Sequence, residues 1–262
     1  MEETTKTVRF PTQVWDVHVH YGFEKNSQKL VGDAELEAFY NRGFHRKIVA
    51  FSGDSHQLIN SQKLAKFASR NDWLYVLYRA SVEDYMMLET DLGRFFESPK
   101  VIGFKIHTSE DRRLISDPVY RYALEEASSR KAIVLVHCGR WVETSGAKHV
   151  FEVSKSYPQA VFVCAHMGGN EPDLTRYAVA QLPDFQNVYL DTSNCRLPSL
   201  IKQAVESGCG EKILFGSDYP FGSLLANLSI PMESELSDQA FDRIMRHNLE
   251  AIIAQIKVVS NR

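Results

Sequence analysis

Short apolar runs, rich in β-branched and aromatic residues, recur along the chain, and helix-like segments separate most of them. Eight such runs span residues 14–20, 47–52, 73–79, 101–107, 132–137, 160–166, 188–191 and 212–218. Their apolar residues are mostly continuous rather than alternating, which is typical of strands buried on both faces of a parallel sheet. The pattern therefore predicts eight parallel strands.

The segments between these runs favour helices. Residues 57–69 place Leu64, Phe67 and Ala68 at helical spacing, and a further helix is expected to begin at Asp117, with Pro118 in its first turn. Other helices are predicted over residues 33–42, 197–207 and 237–256, the last as one helix or as two. Eight βα units in 262 residues favour an α/β fold, a (β/α)₈ TIM barrel of typically ~250 residues, formed as one domain over residues 1–262.

Composition narrows the function classes. The chain is 44% hydrophobic and 24% charged with a net charge of -3, as expected for a globular protein without a nucleic-acid-binding face. It lacks both the G-x-G-x-x-G and the G-x-x-x-x-G-K-[ST] phosphate-binding motifs. No signal peptide and no run of ~18 apolar residues is found, so we expect a cytoplasmic protein that does not bind membranes. Its expected partner is a small-molecule substrate, and a homodimer stays open.

Cysteine usage agrees with that compartment. Cys138, Cys164, Cys195 and Cys209 form no C-x-x-C pair. A structural zinc site or a thioredoxin-like motif is therefore not indicated, and the expectation is four buried free thiols in a reducing environment.

Ionisable residues stand at the carboxyl ends of several predicted strands. The first strand carries His18 and His20, and the fifth, sixth and eighth end in His137, His166 and Asp218. The fourth adds Lys105 and His107. Because the active site of a βα barrel lies at this end of its strands, these side chains are expected to converge there.

Two histidines separated by one residue point to the same face of a strand. His18 and His20, with one further histidine and one carboxylate, would make a donor set suited to zinc, iron, manganese or nickel. Each residue also has a purely structural interpretation: His107 as a hydrogen-bonded histidine, Asp218 as a loop cap. Their combined occurrence is hard to explain by packing, because buried ionisable groups are costly unless paired or metal-bound.

At this point the sequence resembles the amidohydrolase superfamily, and most closely the branch that includes aminocarboxymuconate-semialdehyde decarboxylase. Its D-x-H-x-H, strand-five histidine, H-x-G-G and G-[ST]-D-[YW]-P motifs are similar to the segments WDVHVHYG, VLVHCG, VCAHMGGN and LFGSDYPFG. VYLDTS and HNLEAII resemble its seventh strand and its C-terminal helix. The similarity runs over residues 14–256.

The resemblance implies one divalent metal held by His18, His20, His137 and Asp218. It also implies that His166 orients or deprotonates the metal-bound water and that Asp218 shares this proton. Zinc is the expected ion, with Mn²⁺, Fe²⁺ and Ni²⁺ as alternatives. Lys105 stands where binuclear members carry a bridging carboxylated lysine, which leaves the number of ions open.

The function expected from this similarity is hydrolysis of a small, carboxylate-bearing substrate by a metal-activated water. Non-oxidative decarboxylation on the same barrel is the alternative, followed by a TatD-like phosphodiesterase or nuclease and by a non-catalytic binding barrel. An acidic ligand near the middle of the barrel, as in the TatD-like group, is missing from the fourth strand.

Four residues are candidates for substrate binding: Lys105, His107, Arg140 and Tyr219. The guanidinium of Arg140 matches the geometry of a carboxylate, although a solvated loop arginine is an equal alternative. Lys105 could instead pair with a nearby carboxylate such as Asp191, and Tyr219 could be a packing residue.

Overall fold

The computed structural model describes residues 10–24, 28–53, 57–87, 97–139 and 142–256. These residues form nine strands: β1 (Val14–Glu24), β2 (Lys29–Val31), β3 (His45–Ser52), β4 (Leu74–Tyr78), β5 (Val101–Ile106), β6 (Ile133–Val136), β7 (Val161–Cys164), β8 (Val188–Asp191) and β9 (Ile213–Leu214). All but β2 correspond to the eight predicted strands, in the same order.

The helices lie between the strands. They are α1 (Asp33–Tyr40), α2 (Gln57–Ala68), α3 (Val82–Met87), α4 (Thr108–Asp111), α5 (Arg121–Arg130), α6 (Val142–Ser145), α7 (Ala147–Ser154), α8 (Pro172–Gln181), α9 (Pro198–Ala204), α10 (Leu224–Glu233), α11 (Asp238–Asp242) and α12 (Asn248–Gln255). Asp117 accepts a hydrogen bond from the backbone of Val119 and so caps a short 3₁₀ turn that leads into α5. The predicted helix over residues 237–256 is continuous: a π-helical turn, Arg243–His247, joins α11 to α12.

The eight parallel strands close into a barrel. In the sheet, β1 pairs with β3, and each later strand pairs with the next as far as β9. The segment after β9 then returns to β1: the amide of Val17 donates to the carbonyl of Phe215 at 3.0 Å, and the amide of Asp218 donates to the carbonyl of His18 at 2.9 Å. The predicted TIM barrel is therefore confirmed.

Inside the barrel, side chains from seven of the parallel strands meet in one apolar cluster. Its strand members include Val17, Val49, Leu135 and Leu214, and two residues of α12 join them. The other faces of the strands pack against the helices in a second, larger cluster. A rigid barrel wall of this kind fixes the direction of side chains at the carboxyl ends of the strands, where the candidate site lies.

Two local features differ from the sequence prediction. β1 continues past His20 to Glu24 and pairs antiparallel with β2, so that a short hairpin stands above the barrel mouth. The eighth parallel strand is only two residues long, and a segment without regular secondary structure follows it to Asp218. No helix among the described residues is long and apolar enough to cross a membrane. The four cysteines are buried free thiols, as expected.

Candidate metal centre

Three of the four proposed metal ligands meet at one point of the barrel mouth. Oδ1 of Asp218 lies 3.1 Å from Nε2 of His18 and 3.0 Å from Nε2 of His20. All three residues are buried. A second set of mutually close donor atoms comes from His18, His166 and Asp191. The H-x-H motif and the aspartate two hundred residues later are thus brought together by closure of the barrel.

These three residues fit a divalent metal. Nitrogen and carboxylate ligands of zinc lie ~2.0–2.2 Å from the ion in a tetrahedral arrangement, which places neighbouring ligand atoms a little over 3 Å apart. The distances of 3.0 and 3.1 Å from Asp218 to the two imidazoles agree with that geometry. One carboxylate oxygen facing two imidazole nitrogens is also the donor chemistry expected around a cation.

His166 and His137 lie on the other side of His18. The ring centroids of His18 and His166 are 5.1 Å apart, and Nε2 of His166 is 3.3 Å from Nδ1 of His137. His137 follows β6 directly and is partly exposed, whereas His166 is buried. His137 therefore lies next to His166, but it does not belong to either set of mutually close donor atoms.

Asp191, at the end of β8, forms hydrogen bonds to His18 and to the backbone of His166 and Ser193. Its Oδ2 accepts a hydrogen bond from Nδ1 of His18 at 2.8 Å. Its Oδ1 accepts from the backbone amides of His166 at 3.1 Å and Ser193 at 3.0 Å, and from the Ser193 hydroxyl. Ser193 in turn lies 2.8 Å from Nδ1 of His166. Asp191 is completely buried and links two of the site histidines.

Lys105 is buried beside this cluster, on β5. Its Nζ has no hydrogen-bond partner within the described part of the chain and lies 4.7 Å from the ring centre of Phe51. Phe51 itself packs edge-on against His18 and His20, at 5.2 and 4.6 Å. The alternative pairing of Lys105 with Asp191 is not formed, because Asp191 binds His18 and Ser193 instead.

A family model described as amidohydrolase matches residues 61–252, well over half of the chain. The chain belongs to the amidohydrolase family. It is accordingly a metal-dependent enzyme of that superfamily, as the sequence motifs predict. None of the curated proteins compared with it matches.

Solved structures share the fold of this amidohydrolase. A 5-carboxyvanillate decarboxylase from Sphingomonas paucimobilis is 11% identical, with a TM-score of 0.70, over 94% of this chain and 100% of the other. A dihydroxybenzoic acid decarboxylase from Polaromonas sp. JS666, with bound manganese, is 12% identical, with a TM-score of 0.69, over 94% and 97%. A probable 2-pyrone-4,6-dicarboxylic acid hydrolase from Acinetobacter baumannii is 13% identical, with a TM-score of 0.67, over 92% and 99%.

Burial and neighbouring charges set the protonation of the amidohydrolase site. Burial raises the pKa of Asp218, but the imidazoles of His18 and His20 outweigh it, and the pKa falls well below its usual value. Burial lowers the pKa of His166 to about 4, despite the opposing charge of Asp218. Burial, assisted by His166, also lowers the pKa of His137 well below its usual range. Asp218 is therefore a carboxylate, and His166 and His137 are neutral imidazoles, which are forms that can bind a metal ion.

His107 caps a helix and stacks on a neighbouring histidine. Its Nδ1 accepts a hydrogen bond from the backbone of Glu110 at 3.3 Å and so caps α4. Its ring stacks on that of His137 at 4.0 Å, nearly parallel. Glu110 also pairs with Arg79, a buried cation at the end of β4. His107 thus supports His137 from the side, and its capped nitrogen is already engaged.

The two remaining candidates for substrate binding are Tyr219 and Arg140. Tyr219 stacks on Phe39 of α1 at 4.0 Å, so its ring packs against that helix. From the same segment, the ring of Phe221 reaches the site, where it lies edge-on to His20 at 4.9 Å and is 37% exposed. Arg140 lies outside the described residues.

Several site residues adopt left-handed backbone conformations. His166 has φ +58°, Asp218 φ +54° and Asn194 φ +51°. Such conformations cost an ordinary L-residue roughly 1–2 kcal/mol, and they concentrate at functional sites. Asn194 also donates to Oδ2 of Asp218, so this left-handed segment orients the carboxylate. Close packing behind the site needs Gly216, because a Cβ there would lie 3.0 Å from that of His18.

Sequence reasoning missed Asp191, Ser193, Asn194 and Phe221 as functional residues. The signal for the first three was present in the segment VYLDTSN, a strand that ends in a carboxylate followed by small polar residues. The same rule that selected Asp218, a carboxylate after a buried strand, also selects Asp191.

Proposed function

We propose that this amidohydrolase acts on a small, planar, carboxylate-bearing substrate, and that the reaction it catalyses is non-oxidative decarboxylation. The observation that carries the substrate class is the buried ammonium of Lys105, which has no hydrogen-bond partner among the described residues. A buried charge of this kind is costly unless it is paired, and a substrate carboxylate would pair it.

The aromatic residues around the centre support a planar substrate. Phe51 and Phe221 contact the proposed ligands from two sides, and His107 stacks on His137. Carboxylated aromatic compounds are the named substrates of the two decarboxylases that share this fold. Decarboxylation thereby replaces hydrolysis as the preferred reaction.

The metal proposed here is a single zinc ion bound by His18, His20, His137 and Asp218. When bound, such an ion supplies Lewis acidity that polarises a substrate oxygen and acidifies water. Three imidazoles and one carboxylate suit zinc, and also manganese, which accompanies one of the similar structures. Elemental analysis of the purified protein tests both the ion and the ratio of one per chain.

The residues of the chain then supply binding and proton movement. Lys105 holds an acidic group of the substrate against Phe51, and the aromatic rings fix its plane. When the bond to the carboxyl group breaks, carbon dioxide leaves, the electron pair of that bond stays on the substrate carbon, and this carbon must gain a proton. Asp218 or His166 would take that proton from water or from an acidic hydroxyl of the substrate and pass it to the carbon, because both groups are free to accept a proton at neutral pH.

Hydrolysis is the second candidate, and the neutral state of His166 favours it. A neutral imidazole can accept a proton from an attacking water. One similar structure is a probable hydrolase of a dicarboxylic acid. Both reactions would use the same side chains.

The test is a substrate panel on the metal-loaded enzyme. The panel contains 2,6-dihydroxybenzoate, 5-carboxyvanillate and 2-pyrone-4,6-dicarboxylate, with non-acidic esters and amides for comparison. Release of carbon dioxide that requires the metal and fails in Asp218→Asn supports decarboxylation. Formation of a new acid without carbon dioxide supports hydrolysis. Turnover of non-acidic substrates alone would refute the carboxylate assignment.

A further inference from the structure

Asp191 is the only described carboxylate that contacts both a proposed metal ligand and, through one hydroxyl, the proposed proton carrier. We infer that Asp191 and Ser193 are positioning residues that keep a proton on Nδ1 of His18, His166 and His137, so that Nε2 is the atom of each ring that can serve the metal ion or the transferred proton. This inference rests on the proposed function only for what the three Nε2 atoms are used for.

The first step is the direction of the bonds to Asp191. Its Oδ1 faces two backbone amides, those of His166 and Ser193, and an amide N–H can only donate. Oδ1 is therefore an acceptor in this environment. The Ser193 hydroxyl lies closer to the same oxygen than either amide does, so its single proton must point to Asp191.

The second step follows from the single proton of a hydroxyl group. Once Ser193 donates to Asp191, its oxygen can only accept from Nδ1 of His166, at 2.8 Å. His166 therefore carries its proton on Nδ1, and Nε2 has the lone pair. Without Ser193, nothing among the described contacts would select this tautomer.

The third step extends the chain to His137. Nε2 of His166 lies 3.3 Å from Nδ1 of His137. Since Nε2 of His166 has the lone pair, Nδ1 of His137 must be the donor. His18 is fixed directly, because its Nδ1 donates to Oδ2 of Asp191 at 2.8 Å while its Nε2 faces Oδ1 of Asp218 at 3.1 Å. One buried carboxylate thus sets three imidazoles.

The hydrogen-bond partner of a histidine's second ring nitrogen affects how well that histidine binds a metal ion. A ligating imidazole usually donates its second N–H to a carboxylate, carbonyl or water, and loss of that partner typically weakens metal affinity or activity by ~10–100-fold. The two residues differ in their shortest ring contact: Asp191 lies 2.8 Å from Nδ1 of the ligand His18, whereas Ser193 lies 2.8 Å from Nδ1 of His166 and 3.4 Å from that of His18. Separate substitutions should therefore give different phenotypes.

The direct test is nitrogen NMR of ¹⁵N-histidine-labelled, metal-free protein, in which protonated and unprotonated ring nitrogens are well separated. Variants of His18, His137 and His166 assign the signals. We expect a proton on Nδ1 in all three rings. In Ser193→Ala, His166 should become a mixture of tautomers, and Ser193→Thr, which keeps the hydroxyl, should restore the single form. The matched control is Thr192→Val, which removes a neighbouring buried hydroxyl that binds Gly216 and no histidine.

Metal binding and kinetics give the second readout. Competition with a chromogenic chelator should show zinc affinity ~10–100-fold weaker in Asp191→Asn and unchanged in Ser193→Ala. Ser193→Ala should instead lower kcat by ~10–100-fold with KM unchanged. A wild-type His166 protonated on Nε2, or a Ser193→Ala spectrum identical to wild type, would overturn the inference. Because the spectra need neither metal nor substrate, they decide it even if the proposed reaction is wrong.

Discussion

Lys105→Met should stabilise the metal-free protein while it abolishes binding of the acidic substrate. Burial, and then the like charge of Arg79, lower the pKa of Lys105 from 10.5 to about 8. Because one pKa unit corresponds to about 1.4 kcal/mol, keeping this ammonium protonated costs about 3 kcal/mol. Methionine fills a similar volume without a charge. After allowance for ~0.5–2 kcal/mol of lost cation–π attraction to Phe51, the expected gain is about 1–3 kcal/mol.

The pH dependence gives this prediction a definite sign. The pKa of Lys105 is lower in the folded than in the unfolded protein, so between about pH 8 and pH 10.5 the unfolded chain binds more protons and stability rises with pH. The cost of the buried charge is therefore fully present below about pH 8 and disappears towards pH 10.5. The advantage of Lys105→Met should be largest at neutral pH and shrink in alkali.

Equilibrium urea unfolding of chelator-treated protein, at neutral and at alkaline pH, measures both effects. Lys63→Met is the matched control, since Lys63 is exposed on α2 and its removal should change stability little at either pH. A Lys105→Met protein that is less stable than wild type at neutral pH would refute the reasoning. So would a difference that does not depend on pH, because burial of a charge would then not be its origin.

Three further predictions concern the metal centre. His18→Ala with His20→Ala should leave no bound metal by elemental analysis while circular dichroism stays that of the folded barrel; full retention would refute the ligand assignment. Asp218→Asn, nearly isosteric, should reduce turnover by ~10²–10⁴-fold with little change in the free energy of unfolding, and an unchanged rate would make Asp218 merely structural. His166→Asn should lower turnover by ~10–100-fold and retain metal, unlike His137→Ala; equal loss of metal in both would make His166 a ligand.

The barrel could be predicted because each parallel strand is a continuous apolar run, a signal that needs no knowledge of partners. β2 was missed for the opposite reason: Lys29–Val31 has three residues and gains its structure only by pairing with the end of β1. Helix α10 was missed as well, since it contains Pro231 and its apolar residues lack a clear helical stripe. Tertiary contacts decide such elements, and the local sequence does not record them.

The site could be predicted as a set of residue types at strand ends, but not as a set of contacts. Tyr219 and Phe221 are both aromatic and both follow Asp218, yet Tyr219 turns to Phe39 and Phe221 to His20. Sequence spacing cannot separate these directions where the chain leaves the regular strand. The same limit hid the contact of Asp191 with His18, which lies 173 positions away in sequence.

These features together imply that the site is held at the expense of stability. A buried ammonium at Lys105 that has no hydrogen-bond partner among the described residues and a left-handed backbone at His166 each cost free energy, and neither is required for a closed barrel. Rigid strands on all sides over-determine these conformations, which is how strain persists in a folded protein. Substitutions that relieve it, such as Lys105→Met, should therefore separate stability from function. Positions where an apolar replacement stabilises the metal-free protein then identify the groups that need the substrate or the metal ion as their partner.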